Sequence, residues 1–311
     1  MRTEKPLRTV LGDHGQTKAL KSGAITVPGV DLEFINIKKM TDAYREMART
    51  APWDICEMAP TTYLAARAHG APFIALPIPM TRRFRHAGVM VPVDSPIRTP
   101  KDLEGQRIGI RAYTVTAGTW TRGVMINEFG LDPDKVTWVV EEDENVIGQE
   151  LPPNVERAPA GKSLGQLLIE GDLAGGFAGQ AGIGEPEGLA LRDLFPDPEP
   201  LEFDWFRRTG IYPIHGVIVV RNDTLAANPG LPQALFEAFT AAKAAYLQDI
   251  ESGADTSGEA KRYQRLAEVV GDPLPYGYEA NRPSLEALVL YARQQRFVPQ
   301  STSADTEFLR L

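Results

Sequence analysis

Short apolar segments alternate with stretches of helical periodicity along the amino-terminal part of the chain. The apolar segments predict strands at 7–11, 32–37, 54–58 and 73–77. The stretches between them predict helices that end near Lys21, Arg49 and His69. Such alternation is typical of an α/β protein, and we predict that fold class here.

The same pattern continues through the middle of the chain. A capped turn at 100–105 leads to a strand ending at 110, a helix over 114–128 and a strand at 136–140. Residues 141–162 are acidic and proline-rich, which predicts a surface excursion. A helix at 164–170 turns into a short strand ending at 177. Gly and Pro then dominate up to a strand at 214–220, and the last third is helical, with its longest helix over 231–250.

Composition places the chain among ordinary globular proteins. It has 311 residues, of which 43% are hydrophobic and 24% charged, which is enough for two domains. The charged amino terminus lacks the apolar region of a secretory signal, and no apolar run reaches the roughly eighteen residues of a membrane helix. We therefore expect a cytoplasmic protein that does not span a membrane. The single cysteine, Cys56, excludes an internal disulfide and lies in an apolar context that favours packing over catalysis.

The charge distribution points to a small anionic ligand. A net charge of −8 and a pI of about 5.2 argue against nucleic acid. A dense cation cluster nevertheless occurs at Arg82-Arg83-Phe84-Arg85-His86. Because a guanidinium can hold a carboxylate through two parallel hydrogen bonds, Arg83 and Arg85 are candidates for binding a carboxylate. The alternative is a set of solvated charges that precede a strand.

Histidines and threonines add further candidates. Of four histidines, His69 ends a helix, where it is expected to cap carbonyls. His14, His86 and His215 fall in loops or at strand edges, where each can serve either packing or chemistry. Thr114 and Thr116 open a helix, and its amino terminus can either attract a carboxylate or simply be capped by a threonine.

Several motifs give a family resemblance. Two turns, at 101–109 and 168–174, resemble those of the second domain of periplasmic-binding-protein type II folds. Further stretches resemble a narrower family with that fold, the 4,5-dihydroxyphthalate decarboxylases. These stretches are Gly12-Asp13-His14 with Thr17-Lys18-Ala19-Leu20, Cys56-Glu57-Met58, Arg83-Phe84-Arg85-His86, Thr116-Ala117-Gly118-Thr119-Trp120-Thr121-Arg122-Gly123 and Gly210-Ile211-Tyr212-Pro213-Ile214-His215. The chain departs from the family at His14-Gly15 and at Arg111-Ala112-Tyr113, so the substrate can differ from 4,5-dihydroxyphthalate.

The resemblance implies a two-lobed α/β fold with a ligand cleft between the domains. The first domain is expected to comprise residues 1–90 and 215–311, and the second residues 91–214. Ligands of open α/β sheets bind at loops after the strand ends.

The resemblance also implies a reaction: non-oxidative decarboxylation of a hydroxylated aromatic carboxylate or dicarboxylate by protonation of the ring carbon that bears the carboxylate. This step needs an acid, and histidine suits it. We expect His86 or His215 to donate the proton, with His14 and Glu57 at the phenolic end. Arg83 and Arg85 are expected to hold carboxylates, although adjacent Arg85 and His86 cannot both point inward from an extended segment. The remaining substrate-binding candidates are Tyr113, Thr114, Thr116, Trp120 and Arg122.

Cofactor and partner expectations are sparse. We expect no cofactor, but three histidines and Glu57 leave a divalent metal open, although no short ligand motif supports one. No phosphate-binding glycine motif indicates a nucleotide. The expected partner is a small aromatic carboxylate, and a homo-oligomer is left open. The alternatives in function are a solute-binding protein for an aromatic carboxylate and another lyase on this fold, such as one of the menaquinone-pathway type.

Overall fold

The computed structural model describes residues 5–179 and 181–311. The first four residues lie outside this range. They form part of the amino-terminal segment from which we predicted that a secretory signal is absent, so that prediction lies partly outside the described residues.

Eleven strands and eleven helices are found in the described residues. The strands are β1 Leu7–Val10, β2 Leu32–Phe34, β3 Ile55–Met58, β4 Phe73–Pro79, β5 Val89–Pro92, β6 Arg107–Ile110, β7 Thr137–Val140, β8 Val155–Arg157, β9 Gly175–Phe177, β10 Leu191–Asp193 and β11 Val217–Arg221. The helices are α1 Gly15–Lys21, α2 Met40–Thr50, α3 Pro60–Ala68, α4 Thr116–Phe129, α5 Leu164–Ile169, α6 Glu199–Thr209, α7 Asn222–Ala227, α8 Leu231–Glu251, α9 Gly258–Val270, α10 Tyr278–Gln294 and α11 Ala304–Glu307. Short 3₁₀ turns occur at Pro100–Leu103 and Pro133–Lys135.

The chain forms two compact units. Unit 1 comprises the chain up to Arg83 together with Ile214–Glu286 and Thr302–Leu311. Unit 2 comprises Phe84–Pro213 and Ala287–Ser301. Each unit is built on its own sheet.

Unit 1 contains a five-stranded sheet in the order β2-β1-β3-β11-β4. Strands β1, β2 and β3 are parallel, whereas β11 runs antiparallel to both β3 and β4. The carboxyl ends of β1, β3 and β4 therefore meet the amino end of β11 at one edge of the sheet. The core under this sheet consists of apolar side chains from the strands and α8, among them Ile55, Leu76, Ile218, Leu235 and Phe239.

Unit 2 contains a six-stranded sheet in the order β10-β5-β9-β6-β7-β8. Strand β5 is antiparallel to β9 and β10, and the neighbours β9, β6, β7 and β8 are parallel. The carboxyl ends of β6, β7, β9 and β10 thus share an edge with the amino end of β5. A leucine-rich cluster from α5 packs on this sheet against Val139 and Ile183.

The units divide the chain differently from the predicted domains at three places, one of which is the single residue Ile214, grouped with unit 1. Residues 84–90 and 287–301, which the prediction placed in the first domain, group with unit 2. For 287–301 the reason is contact with α4. Arg122 donates from Nε to Oε1 of Gln295 at 2.8 Å, and the Trp120 ring lies 5.5 Å from that of Tyr291.

Most predicted elements are confirmed to within a few residues, but two regions differ. The region rich in Gly and Pro contains helix α6, to which the sequence pattern assigned no element. Proline is compatible with the first turn of a helix, and Pro198 and Pro200 lie there, while Gly210 ends the helix with a φ of 67°. The acidic excursion also contains strand β8, which pairs with β7.

The length and composition of the helices bear on whether the chain spans a membrane. Within residues 5–179 and 181–311, none of the helices combines the length and the apolar composition that crossing a bilayer needs.

Close packing of α4 gives the first testable prediction. A Cβ atom at Gly123 would lie 2.0 Å from the ring of Tyr291. We expect Gly123→Ala to destabilise the protein by about 1–3 kcal/mol, because the ring and α4 must separate. Gly258→Ala is the matched control, since that helical glycine has open space around it and alanine favours helix by up to about 1 kcal/mol. Urea unfolding of the two variants checks this, and equal stabilities would show that the two helices do not approach so closely.

Candidate active site

One edge of the unit 1 sheet gathers three of the four residues predicted to be catalytic, together with Arg83. Gly12 and His14 follow β1, Glu57 lies in β3, Arg83 follows β4 and His215 precedes β11. Because the carboxyl ends of the parallel strands share this edge with the amino end of β11, residues far apart in sequence become neighbours.

A side-chain contact at this edge joins His14 to Glu57. Nε2 of His14 lies 3.0 Å from both carboxylate oxygens of Glu57. The backbone N–H of Gly12 donates to the same carboxylate at 2.9 Å, and the Tyr44 hydroxyl donates at 3.3 Å. The Glu57 side chain is 2% exposed and that of His14 is 20% exposed. The pair therefore has a buried anionic end and a histidine that reaches the surface.

This arrangement stabilises the charged form of both partners. Burial raises the pKa of the Glu57 carboxyl, but the hydrogen bonds and charge of His14, with the donors of Gly12 and Tyr44, outweigh it and leave the pKa below its usual value. Burial lowers the pKa of His14, but the hydrogen bond and charge of Glu57 outweigh it and raise the pKa. Both shifts favour the charged forms, an imidazolium on His14 and a carboxylate on Glu57.

Two glycines permit this close approach. A Cβ atom at Gly12 would lie 2.7 Å from Nε2 of His14 and 2.9 Å from Oε2 of Glu57. A Cβ atom at Gly216 would lie 3.0 Å from Oε1 of Glu57 and 3.1 Å from Cβ of Met80. The backbone therefore passes Glu57 on two sides, which only glycine allows without displacing the pair.

His215 connects the segment before β11 to the segment after β4. Its backbone N–H donates to the carbonyl of Thr81 at 2.8 Å, and its Nε2 lies 3.3 Å from the carbonyl of Arg83. The His215 side chain is half-buried, while the Arg83 side chain is exposed. Neighbouring Arg82 is instead buried and hydrogen-bonds to Asn281 and Ser284, so its role is to hold unit 1 together.

His86 occupies an aromatic environment in unit 2. It is 2% exposed, and its ring lies 5.1 Å from that of Trp205 and 6.5 Å from those of Phe129 and Phe195. Burial, which the charge of Arg208 reinforces and that of Glu128 opposes, lowers the pKa of His86 to about 4. The ring is therefore neutral near pH 7. The side chain of adjacent Arg85 is half-buried.

The loop that precedes α4 already holds a carboxylate of the chain itself. Glu144 accepts hydrogen bonds from the backbone of Tyr113 at 2.6 Å and of Thr114 at 3.1 Å, and from the Thr114 hydroxyl. Tyr113, Thr114 and Thr116 are all buried. Within unit 2, the anion that this loop was predicted to attract is thus the carboxylate of Glu144.

Trp120 and Arg122 are buried inside unit 2. Neither side chain has any exposed area. The Arg122 guanidinium lies 4.0 Å from the centre of the Tyr113 ring and 5.1 Å from that of Trp138, and also donates to the Tyr113 carbonyl. These contacts support a packing role, and a substrate contact of either residue stays a prediction.

The structure thus places the predicted residues in two groups. His14, Glu57, Arg83 and His215 lie at the unit 1 edge, and the remaining candidates lie in unit 2. His69 caps α3, as predicted, with its Nδ1 2.9 Å from the carbonyl of Ala65. Across residues 5–179 and 181–311, no three His, Cys, Asp or Glu side chains are grouped so as to hold a metal ion. The expectations on cofactors stay predictions.

Sequence reasoning missed several residues that contact the candidates, among them Tyr44, Glu144 and Glu202. Tyr44 donates to Glu57, Glu144 accepts from Thr114, and Glu202 on α6 accepts from the backbone of His86 at 3.4 Å. Tyr44 and Glu202 lie on helices, and no local motif reveals which neighbours these side chains face. Glu144 lies in the acidic excursion after β7. Its position just after a strand end is the signal by which the sequence could have indicated a site residue.

Comparison with known proteins identifies close relatives. The chain is 32% identical to the 4,5-dihydroxyphthalate decarboxylase of Comamonas testosteroni over 253 residues, which cover 78% of this chain and 76% of the relative. It is 31% identical to the 4,5-dihydroxyphthalate decarboxylase of Pseudomonas putida over 213 residues, which cover 65% of this chain and 81% of the relative.

Family and structure comparisons agree on the fold. Residues 26–149 match the family described as ABC transporter, phosphonate, periplasmic substrate-binding protein. The aliphatic sulphonate binding protein SsuA of Escherichia coli aligns with a TM-score of 0.56 at 14% identity, covering 98% of this chain and 97% of that chain. The alkanesulfonate-binding protein SsuA of Xanthomonas axonopodis pv. citri aligns over 100% of both chains at 13% identity, with a TM-score of 0.53. The predicted periplasmic-binding-protein-like fold is therefore confirmed.

The His14 and Glu57 pair yields a prediction about titration. In Glu57→Gln we expect the pKa of His14 to fall below its ordinary value of 6.5, because burial then acts without the carboxylate. Tyr44→Phe is the control, since it removes one hydrogen bond to Glu57 but keeps the charge, and there the pKa stays raised. NMR titration of the histidine ring protons measures both. A His14 pKa that does not respond to Glu57→Gln would contradict the ion pair.

Proposed function

Because the chain belongs to the 4,5-dihydroxyphthalate decarboxylase family, we propose that it removes one carboxylate, as carbon dioxide, from a hydroxylated aromatic dicarboxylate such as 4,5-dihydroxyphthalate. Membership in this family makes it an enzyme of the carboxy-lyase class. The substrate is a small molecule, and its identity is the part that we propose.

The observation that carries the proposal is the ion pair of His14 and Glu57. Its carboxylate is buried and fully hydrogen-bonded, while its imidazolium is partly exposed. A proton is thus held near the surface at a sheet edge where α/β folds bind ligands. Perturbed titration with a specific charge partner is a common property of catalytic sites.

The reaction requires two proton movements. A hydroxyl para to the departing carboxylate must lose its proton, so that electrons flow into the ring. The ring carbon that bears the carboxylate must gain a proton. The carbon–carbon bond then breaks, its electron pair returns to the ring, and carbon dioxide leaves with aromaticity restored.

We assign the two steps to different histidines, with the phenolic proton leaving to solvent. The His14 imidazolium stabilises the phenolate by its charge, and Glu57 holds that charge in place. His215 delivers the proton to the ring carbon. His86 is less suited to this acid step, because its lowered pKa leaves it without a proton to give near neutral pH. The exposed Arg83, whose carbonyl contacts His215, supplies a cation for a carboxylate.

Simple binding without chemistry is the alternative function. Sulfonate-binding proteins share the fold, and the matched family model describes substrate-binding proteins. Another lyase on this fold is the second alternative. The cytoplasmic location, the absence of a cofactor and the oligomeric state stay predictions.

Turnover tests the proposal directly. We expect 4,5-dihydroxyphthalate incubated with the purified protein to lose carbon dioxide and give 3,4-dihydroxybenzoate, detected by mass spectrometry. Glu57→Gln should lower kcat by about 10²-fold or more, because it removes the stabilised charge on His14. Arg310→Gln is a control on the same unit, since it changes a surface ion pair with Asp305 and a cation–π contact with the Tyr278 ring.

The outcomes separate the alternatives. Thermal stabilisation by hydroxybenzoates and dihydroxyphthalates without any turnover would favour a binding protein. Loss of water in place of carbon dioxide would favour another lyase. Activity that is retained in Glu57→Gln would remove the ion pair from the mechanism.

The separate roles of the two histidines give a second prediction. Bound 3,4-dihydroxybenzoate should show the ultraviolet shift of a phenolate in the wild type and in His215→Gln, but not in His14→Gln. Exchange of a ring proton of this product in heavy water should be lost in His215→Gln by about 10²-fold or more. The reverse pattern would exchange the two roles.

A further inference from the structure

The segment that follows β4 pairs with the segment that precedes β11. The backbone N–H of His215 donates to the carbonyl of Thr81 at 2.8 Å. One position further along, Arg82 pairs with Ile214 as an antiparallel bridge. The pairing of β4 with β11 therefore continues past the ends of both strands, and it places His215 beside residues 81–83.

Helix α9 also holds this segment, through the side chain of Arg262. Nη1 of Arg262 donates to the carbonyl of Arg82 at 2.5 Å. Nη2 donates to Oε1 of Glu259, three residues earlier on the helix, at 3.0 Å. The guanidinium carbon lies 4.5 Å from the centre of the Tyr263 ring. These contacts fix the direction in which Arg262 offers an N–H to the backbone.

The next carbonyl along the chain, that of Arg83, is the one that His215 contacts. Nε2 of His215 lies 3.3 Å from this oxygen. Because a carbonyl oxygen can only accept, the contact needs a hydrogen on Nε2, and it fixes the orientation of the ring. The two carbonyls belong to neighbouring planar peptide groups that share one Cα atom. A movement of the carbonyl that Arg262 holds therefore also displaces the acceptor of His215.

We propose that Arg262 is a positioning residue for the acid step, which holds the His215 ring in one orientation by fixing the carbonyls of Arg82 and Arg83. This inference rests on the proposed function, in which His215 delivers the proton to the ring carbon. Proton transfer depends steeply on the distance and angle between the acid and the carbon. Arg262 thus acts on the reaction through the backbone and through His215.

The first experiment measures the orientation of His215 and needs no substrate. Three-bond NMR couplings across χ1 distinguish one side-chain rotamer from an average of several. We expect one rotamer in the wild type and averaging in Arg262→Met, which loses the donor to the backbone but keeps an unbranched side chain beside Tyr263. Arg262→Lys should lie closer to the wild type, because its ammonium can still donate to a carbonyl. Glu259→Gln should keep one rotamer, since the bond from Arg262 to the carbonyl remains.

The second experiment measures the two chemical steps separately. In Arg262→Met, exchange of a ring proton of 3,4-dihydroxybenzoate in heavy water should slow by about tenfold or more, because His215 performs this step. The ultraviolet shift of the bound phenolate should persist, because His14 performs that one. With 4,5-dihydroxyphthalate, kcat should fall by a similar factor while KM changes by no more than about twofold. Lys261→Met changes an exposed cation of the same helix and should follow the wild type.

Two results would overturn the proposal. A single His215 rotamer in Arg262→Met would show that the ring does not depend on this arginine. Equal loss of proton exchange and of the phenolate shift would show a general disturbance of unit 1 in place of a role in the acid step. If Arg262→Met does not fold, Arg262→Gln, whose shorter side chain also loses the bond to the carbonyl, should show the same selective loss.

The two experiments also separate this proposal from the proposed function. Averaging of the His215 rotamer in Arg262→Met, without any decarboxylation by the wild type, would refute the proposed reaction and leave the control of His215 by Arg262 intact. Decarboxylation by the wild type, with kcat and rotamer unchanged in Arg262→Met, would refute the positioning role and leave the reaction intact.

Discussion

The burial of one ionised carboxylate, that of Glu57, organises unit 1. An isolated charge in this position would cost several kcal/mol, so the surrounding chain must compensate it with donors and a counter-ion. Gly12, Tyr44 and His14 provide them. Gly12 and His14 come from the loop after β1 and Tyr44 from α2, and glycines at 12 and 216 keep the backbone close enough. The site is therefore inseparable from the packing of β1, α2, β3 and the segment before β11.

The same topological rule produces two different edges. In unit 1 the strand ends gather a histidine and a carboxylate whose charges are held within the pair. In unit 2 the corresponding edge places Glu144 against the loop before α4. It also places Asp193 and Glu202 beside the segment at 86–88. Donors at strand ends and helix starts attract anions. Here the chain supplies part of that negative charge itself.

Local pattern was enough to predict most strands and helices, because period and turn residues are local signals. Helix α6 was not predicted because its proline-rich start resembles a loop, although proline is compatible with a first helical turn. The meeting of His14 and Glu57, 43 positions apart, depends on strand order, which no local period encodes; the family resemblance supplied it. The burial of Arg122 and His86 depends on side-chain direction and on segments such as 287–301, and the sequence does not specify either.

The charge balance of the His14 and Glu57 pair favours chemistry over simple binding. Sulfonate-binding proteins of this fold show that the architecture alone does not require a reaction. To attract an anion, a site needs net positive charge, and an arginine would supply it at lower cost. The pair has no net charge, so it adds little to the attraction of a carboxylate from a distance, and its imidazolium acts only on a group in direct contact. What it does add is a proton on a partly exposed histidine, held at a fixed position by a buried base. Such an arrangement is of little use to a binding protein. A decarboxylase, in contrast, must stabilise a phenolate and transfer protons at the ring.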